Sequence, residues 1–344
     1  MEKQETTWVI GDIHGMYDPI KRLITELRKR VILHGEKIRK LIFIGDYIDY
    51  GPSSKEVLDL LMNLEFESIF MAGNHEDLVL HYLKKSYFYE EYGNMWFNGN
   101  GGQETVLSFN PAPEVYKKVA QHPIEYHTSG SREFVTGDFT FEKKYMDFFN
   151  NLVYVHEEKF DEDGSRPIKF AFSHAGFDAS RDLGEQLALK TYDQFHNYVQ
   201  EKNIFMKNFN LWSRIEPTKK FDDYIVIQGH TPAELLPEYY KNVGKFKPES
   251  GLPYFKFLNP DIRAGHDTYP DTYYLDGDFK DLISINIDTG AALGKYLTAI
   301  GFNDGIGWNR TIKVMQVACS IKDRARQAEL KSYQVKVSPF GKEA

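Results

Sequence analysis

Cysteine is almost absent from this chain of 344 residues: Cys319 stands alone. One thiol cannot build an intrachain disulfide framework. No motif surrounds it, so a thiolate nucleophile is not supported and Cys319 reads as structural. Long apolar runs are missing as well. No stretch approaches the ~20 residues of a membrane span. The polar start MEKQETT runs straight into WVIGD and leaves no room for a signal peptide. A cytoplasmic protein is expected. Basic charge is short too: 42 Lys and Arg against 50 Asp and Glu give a formal net charge of −8. Such a balance does not attract nucleic acid or anionic membrane, and neither is expected as a partner. No internal repeat or low-complexity block occurs. What remains is a chain with 42% hydrophobic residues, ordinary for a globular protein, and long enough for one large core with insertions.

Five short polar strings stand at the ends of apolar runs. They are GDIHG at 11–15, GDYIDYG at 45–51, GNHE at 73–76, SHAG at 173–176 and GHT at 229–231. Each follows a run of strand length: Trp8 to Ile10, Leu41 to Ile44, Ile69 to Ala72, KFAF and YIVI. Apolar runs bounded by Gly and followed by polar residues are how a buried sheet reads in sequence. Gly beside each string lets the backbone turn tightly. A lone Asp after a strand is usually a helix cap, and a lone His is more often a satisfied polar residue than a ligand. Five strings in one context are another matter. Together they supply Asp12, His14, Asp46, Asn74, His174 and His230, oxygen and nitrogen ligands enough for two divalent metal ions. Carboxylate, amide and imidazole without thiolate disfavour a structural zinc site. They suit Mn2+, Fe or Zn2+ in open catalytic geometry, with Mn2+ the first expectation. Two such ions close together are a general device for phosphate-ester hydrolysis.

On these strings the chain resembles the phosphoprotein phosphatase family of metallophosphoesterases, in its bacterial and phage branch. The family motifs are GDxHG, GDxxDRG, GNHE or GNHD, a His before Ala-Gly or Gly-Gly, and a late GHT. WFNGNGG at 96–102, YMDFFNNLVYVHEE at 145–158, LWSR at 211–214 and INIDTGAALGKYLTA at 285–299 resemble weaker marks of the bacterial branch. The likeness covers roughly residues 7–300. It implies an α/β fold of the calcineurin-like metallophosphoesterase type, a two-sheet β-sandwich flanked by helices. It also implies roles. Asp12, His14 and Asp46 bind the first metal. Asp46, Asn74, His174 and His230 bind the second, so that Asp46 bridges and a bridging hydroxide attacks phosphorus in line. His75 protonates the leaving oxygen, Asp49 holds its imidazole, and Arg214 grips the phosphate. A guanidinium offers paired donors matched to phosphate oxygens.

One position departs from the pattern. The family Arg of GDxxDRG, a second phosphate clamp, is Tyr50 here. A phenol donates one hydrogen bond and carries no charge at neutral pH. Charge-assisted bonds contribute roughly 1.5–3 kcal/mol, so either the phosphate is held less tightly, the substrate differs, or another cation fills in. Lys55, Arg132 and Arg181 are the candidates.

Three helices are expected between the first strings. In 19–34, Ile20, Leu23, Ile24, Leu27 and Val31 share a face; 55–64 has a cap at Ser53 or Ser54; 75–85 follows GNHE, with His81 a packing or surface residue rather than a ligand. Strand, string and helix in succession imply parallel strands covered by helices. The aromatic run Tyr87, Tyr89, Tyr92, Trp96 and Phe97 reads as core. A stretch at 233–282 holds five of the fourteen prolines and reads either as a surface excursion or as a lid over the metal cleft. Residues 1–320 are expected to form one domain including that insertion. Residues 321–344 are a tail whose SYQVKV makes an edge strand or a mobile end. The expected activity is phosphomonoester hydrolysis on Ser or Thr of proteins, extending to Tyr. The alternative is cleavage of a dinucleoside polyphosphate or another nucleotide at the same two metals.

Overall fold

The structure is a computed structural model. It describes residues 5–84, 92–93, 95–112, 114, 139–160, 168–204, 209–236, 252–258, 263–267, 272–276, 281–304, 311–319 and 330–337. The chain opens as β1 (Glu5–Ile10), α1 (Tyr17–His34), β2 (Lys37–Phe43), α2 (Ser54–Met62), β3 (Ser68–Phe70) and α3 (Asn74–Lys84). The strands pair parallel, in the order β3-β2-β1, as the alternation of strand and helix requires. A π-helical turn, Met95–Gly99, leads into α4 (Gly102–Ser108), and α5 (Lys143–Asn150) follows. Then come β4 (Val155–Phe160), β5 (Ile168–Ser173), α6 (Leu183–Leu187), α7 (Tyr192–Glu201) and β6 (Tyr224–Gln228). The last strands are β7 (Tyr254–Phe257), β8 (Arg263–Asp267), β9 (Thr272–Asp276), β10 (Leu282–Asn286), β11 (Tyr296–Asp304), β12 (Thr311–Ala318) and β13 (Leu330–Val337).

Two mixed sheets result, β3-β2-β1-β11-β12-β13-β9-β8 and β4-β5-β6-β10-β7. Side chains alternate faces along a strand, and the core divides accordingly. Val9, Ile42, Ile44, Ile300 and Val314 meet Phe170, Phe172, Ile225, Ile227 and Ile285 between the sheets. Trp8, Ile10, Leu41 and Phe43 point the other way, into Ile20, Leu23, Ile24, Leu27, Leu58 and Val79 of the helices. Among the described residues no helix is long and apolar enough to cross a membrane.

Some local expectations change. On α1, Val31 is partly exposed, while the four preceding apolar positions are buried. The helix ends at Gly35 in the left-handed conformation, whose N–H bonds back to Arg30 and Val31. Ser53 makes no side-chain cap on α2. The Ser54 hydroxyl instead accepts the Asp49 N–H at 3.1 Å. In the 233–282 stretch, β7 pairs with β10 and the β8–β9 hairpin extends the other sheet. Residues 237–251 lie outside the described residues. SYQVKV does form a strand, but β13 is flanked by antiparallel β12 and parallel β9 and is no edge.

One ion cluster joins the two sheets at their rim. Glu158 on β4 accepts from Arg39 at 2.6 Å and Lys40 at 2.7 Å, both on β2, and pairs with His156 at 2.8 Å. Burial disfavours the Glu158 carboxylate, yet these donors hold its pKa down at about 2. A lowered folded-state pKa stabilises above the unfolded value, 4.5, and that contribution is lost as pH falls towards 2. Glu158→Gln should therefore cost about 1–2 kcal/mol at neutral pH. In urea melts the deficit should shrink steadily below about pH 4.5. A deficit that stays constant down to pH 3 would mean that packing, not charge, joins the sheets here.

Candidate active site

Five strand ends converge. Asp12 and His14 follow β1; Asp46, Asp49 and Tyr50 follow β2; Asn74 and His75 begin α3 just after β3; His174 follows β5 and His230 follows β6. Two bonds stitch the sheets at this edge. The His230 N–H donates to Asp12 Oδ2 at 2.9 Å, and Nδ1 of His174 meets the Ile44 carbonyl at 2.9 Å. Asp46 lies at the centre. Its Oδ2 is 3.4 Å from His14 Nε2, 3.2 Å from His174 Nε2 and 3.9 Å from His75 Nε2. Asn74 Oδ1 stands 2.9 Å from both His174 Nε2 and His230 Nδ1.

The loops that present these groups are bent beyond ordinary backbone. Among the described residues eight non-glycine positions have positive φ, and five belong to this edge: His14, Asp46, Asp49, Tyr50 and His230. Asp and His tolerate the left-handed region better than most residues, whereas a Tyr there is a greater outlier. Glycine has two defined tasks. A Cβ at Gly73 would collide with Asp46 Oδ1, and one at Gly229 with Asp12 Oδ1.

These groups suit cations. Among the described residues the buried Asp12 Oδ1 and His230 Nε2 find no hydrogen-bond partner, leaving lone pairs for a positive partner. His14 and His174 each place Nδ1 against a backbone carbonyl, Ile48 at 3.1 Å and Ile44 at 2.9 Å. That arrangement fixes the ring and frees Nε2 as a ligand atom. Two sets of possible ligands, His14–Asp46–His75 and Asp46–His174–His230, share Asp46. The protein charges alone already draw positive charge inward. Burial opposes protonation of His174, but Asp46 and Asp12 raise its pKa to about 10. Burial, then Asp288, pushes the Asp12 carboxyl well up, and burial lowers His14 to about 4.

His75 is held from behind. Its Nδ1 lies 2.7 Å from Asp49 Oδ2, which turns Nε2 towards Asp46. Burial disfavours its charge, yet Asp46 and Asp49 raise it to about 9. Arg214 is exposed at the rim, with Nη1 3.5 Å from Thr231 Oγ1. Tyr50 is half-buried and meets the rings of His14 and His75 edge-on, each with centroids 5.2 Å apart. Of the proposed stand-in cations, Lys55 is paired with Asp59 and Arg181 with Asp178. Arg132 lies outside the described residues, as do Tyr87 and Tyr89.

Three supporting residues are not visible as such in the sequence. The Glu76 carboxylate accepts N–H groups from Asp46 and Tyr47 at 2.8 Å and Gly73 at 3.0 Å. Its place as the last residue of GNHE was the available signal. Trp96 is buried core, as its aromatic surroundings suggest, but its indole N–H also donates to Asp49 at 3.0 Å. The Thr105 hydroxyl donates to Asp49 at 2.6 Å. Nothing in the local pattern at 105 marks it.

A family model, calcineurin-like phosphoesterase, matches residues 6–270. The chain belongs to that family. It is similar to serine/threonine-protein phosphatase 2 of Escherichia coli (strain K12), with 39% identity over 94 residues, 27% of this chain and 38% of that protein. It is also similar to a symmetrical bis(5'-nucleosyl)-tetraphosphatase of Legionella pneumophila (strain Lens), with 38% identity over 69 residues, 20% of this chain and 23% of that protein. These matches therefore span well under half of either relative. A solved cold-active protein-tyrosine phosphatase from a psychrophilic Shewanella aligns at 14% identity and TM-score 0.42, covering 96% of this chain and 80% of that one.

The glycine contacts give a direct test. Gly73→Ala and Gly229→Ala should each lower bound metal per chain, read by atomic emission, with circular dichroism unchanged. Gly99→Ala, where a Cβ meets nothing within 4 Å among the described residues, should leave metal content intact. Full metal occupancy in both site variants would mean that the Asp12 and Asp46 carboxylates do not hold ions.

Proposed function

We infer that this chain hydrolyses phosphomonoesters, with phosphoserine or phosphothreonine of proteins as the substrate class. One observation carries the reading: Asp46 Oδ2 stands among the Nε2 atoms of His14, His174 and His75, while Asp49 fixes His75 from the far side. Asp12, His14 and Asp46 would hold one divalent ion, and Asp46, Asn74, His174 and His230 a second, Mn2+ being the first candidate. Two such ions, when bound, acidify water from a pKa of ~15.7 towards ~7 and neutralise phosphoryl oxygens.

The chain's own groups do the rest. With Asp49 at its Nδ1, His75 would present a proton on the nitrogen facing Asp46, which suits it to protonate a leaving alkoxide. Asp49 keeps that ring oriented and compensates its charge. Trp96 and Thr105 keep Asp49 from turning away. Arg214, at the rim beside Thr231, would grip phosphate oxygens with paired donors. Tyr50 walls the same opening with an aromatic edge and a hydroxyl that can donate to phosphate.

A second reading has one observation in its favour. An aromatic ring replaces a cation at position 50, and aromatic faces suit a nucleobase. Hydrolysis of a dinucleoside polyphosphate fits that ring and the activity named for the Legionella relative. A panel of phosphopeptides against a dinucleoside tetraphosphate separates the two by kcat/KM.

Two variants test the chemistry. Asp46→Asn should lose one or both ions and nearly all turnover, whichever substrate is correct. His75→Asn should lower kcat by roughly 10²–10⁴-fold on a phosphoserine peptide. The loss should be far smaller on p-nitrophenyl phosphate, whose leaving group hardly needs a proton. Equal losses on both substrates would remove His75 as the acid.

A further inference from the structure

Among the described residues a third group of possible ligands shares no residue with the other two: Asp77, His81 and His196. Asp77 and His81 are four apart on α3 and stand on one face, one turn from each other. His196 reaches them from α7. Their ligand atoms all lie within 4.8 Å of one another. His196 Nε2 is 2.8 Å from Asp77 Oδ1, and His81 Nε2 is 3.6 Å from Asp77 Oδ2. Donors held at ~2.0–2.2 Å from a tetrahedral dication stand about 3.3–3.6 Å apart; the His81–Asp77 pair has that spacing, and the His196–Asp77 pair is closer, at hydrogen-bond distance.

The surroundings are those of a ligand set. His81 Nδ1 lies 3.1 Å from the Tyr192 hydroxyl, which fixes the ring with Nε2 towards Asp77. Tyr92 stacks on the His81 ring with centroids 4.5 Å apart. Tyr154 donates its hydroxyl to Asp77 Oδ1 at 2.6 Å. Asp77 and His81 are buried, whereas the His196 side chain is 18% exposed and opens the group to solvent. Two imidazoles, one carboxylate and an open side match a zinc-type ion completed by water.

We propose that Asp77, His81 and His196 form a third metal site, which binds one zinc-type dication and ties α7 to the helix that carries Asn74 and His75. The site is separate from the ions drawn by Asp46. Its role is mechanical, and the proposal stands whatever the substrate of the active site.

The test uses the full chain, stripped with a chelator, loaded with Zn2+ and desalted. Atomic emission should find one ion fewer per chain in His196→Gln than in wild type, and Zn2+ should raise Tm less in the variant. Asp46→Asn should keep the ion that His196→Gln loses. His196→Cys supplies a different ligand and should restore that ion. Loaded with Co2+, it should show a thiolate-to-cobalt charge-transfer band that wild type lacks. Equal zinc content in wild type and His196→Gln, or a Co2+-loaded His196→Cys variant without that band, overturns the site.

Discussion

The buried carboxylate of Glu76 is the contact on which the centre depends. It lies at the start of α3 and accepts N–H groups from Asp46, Tyr47 and Gly73. Burial, then the nearby Asp46, pushes the Glu76 pKa up to about 7, and the N–H donors pull the other way by favouring the charged carboxylate. Their bonds join the turn after β2 to the turn after β3. Asp46 reaches the middle of the site only because that turn is pinned. Asn74 and His75 are placed by the same helix that supplies Glu76. The loop geometry of the two metal positions proposed around Asp46 therefore answers to one side chain that belongs to neither set of possible ligands.

A second line of support runs outward from His75. Asp49 receives its imidazole, and Asp49 is itself gripped by Trp96 and Thr105. Its own backbone N–H is taken by Ser54 and Thr105. This chain of bonds links the end of β2, the π-helical turn, α4 and the start of α2. Oriented polar groups buried in this way hold a ring in one position without reorganisation, which the role proposed for His75 requires.

Much of this was legible in the sequence, and the reason is local. Apolar runs that end at Gly and then an acid or His announce both a buried strand and what stands at its tip. The strands ending before Asp12, Asp46, Asn74, His174 and His230 all occur where the runs predict. Long-range pairings were not legible. Thr105 lies 56 residues from Asp49, and a threonine in a short helix carries no mark of the carboxylate it serves. The strand at 330–337 could be read from alternation, but not its two neighbours, because β9 comes from the distant proline-rich stretch. Ser54 resembles an ordinary cap until Thr105 and Asp49 take its hydroxyl. His81 is buried, as a packing residue is, but its contact with His196 was not legible, because it exists only once α7 folds against α3.

The left-handed turns at His14, Asp46, Asp49, Tyr50 and His230 bear on how such a centre can change by mutation. A non-glycine residue in that conformation costs on the order of 1–2 kcal/mol. Glycine would relieve it at each position, and at each it would also delete the functional group. On the proposed function, the mutations that most improve backbone comfort would thus remove the site's side chains, so selection for stability and selection for that activity would pull in opposite directions at these five positions. Drift towards a more stable chain would find its easiest steps here, and a lineage that stopped needing the reaction should lose these residues before it loses the sandwich that carries them.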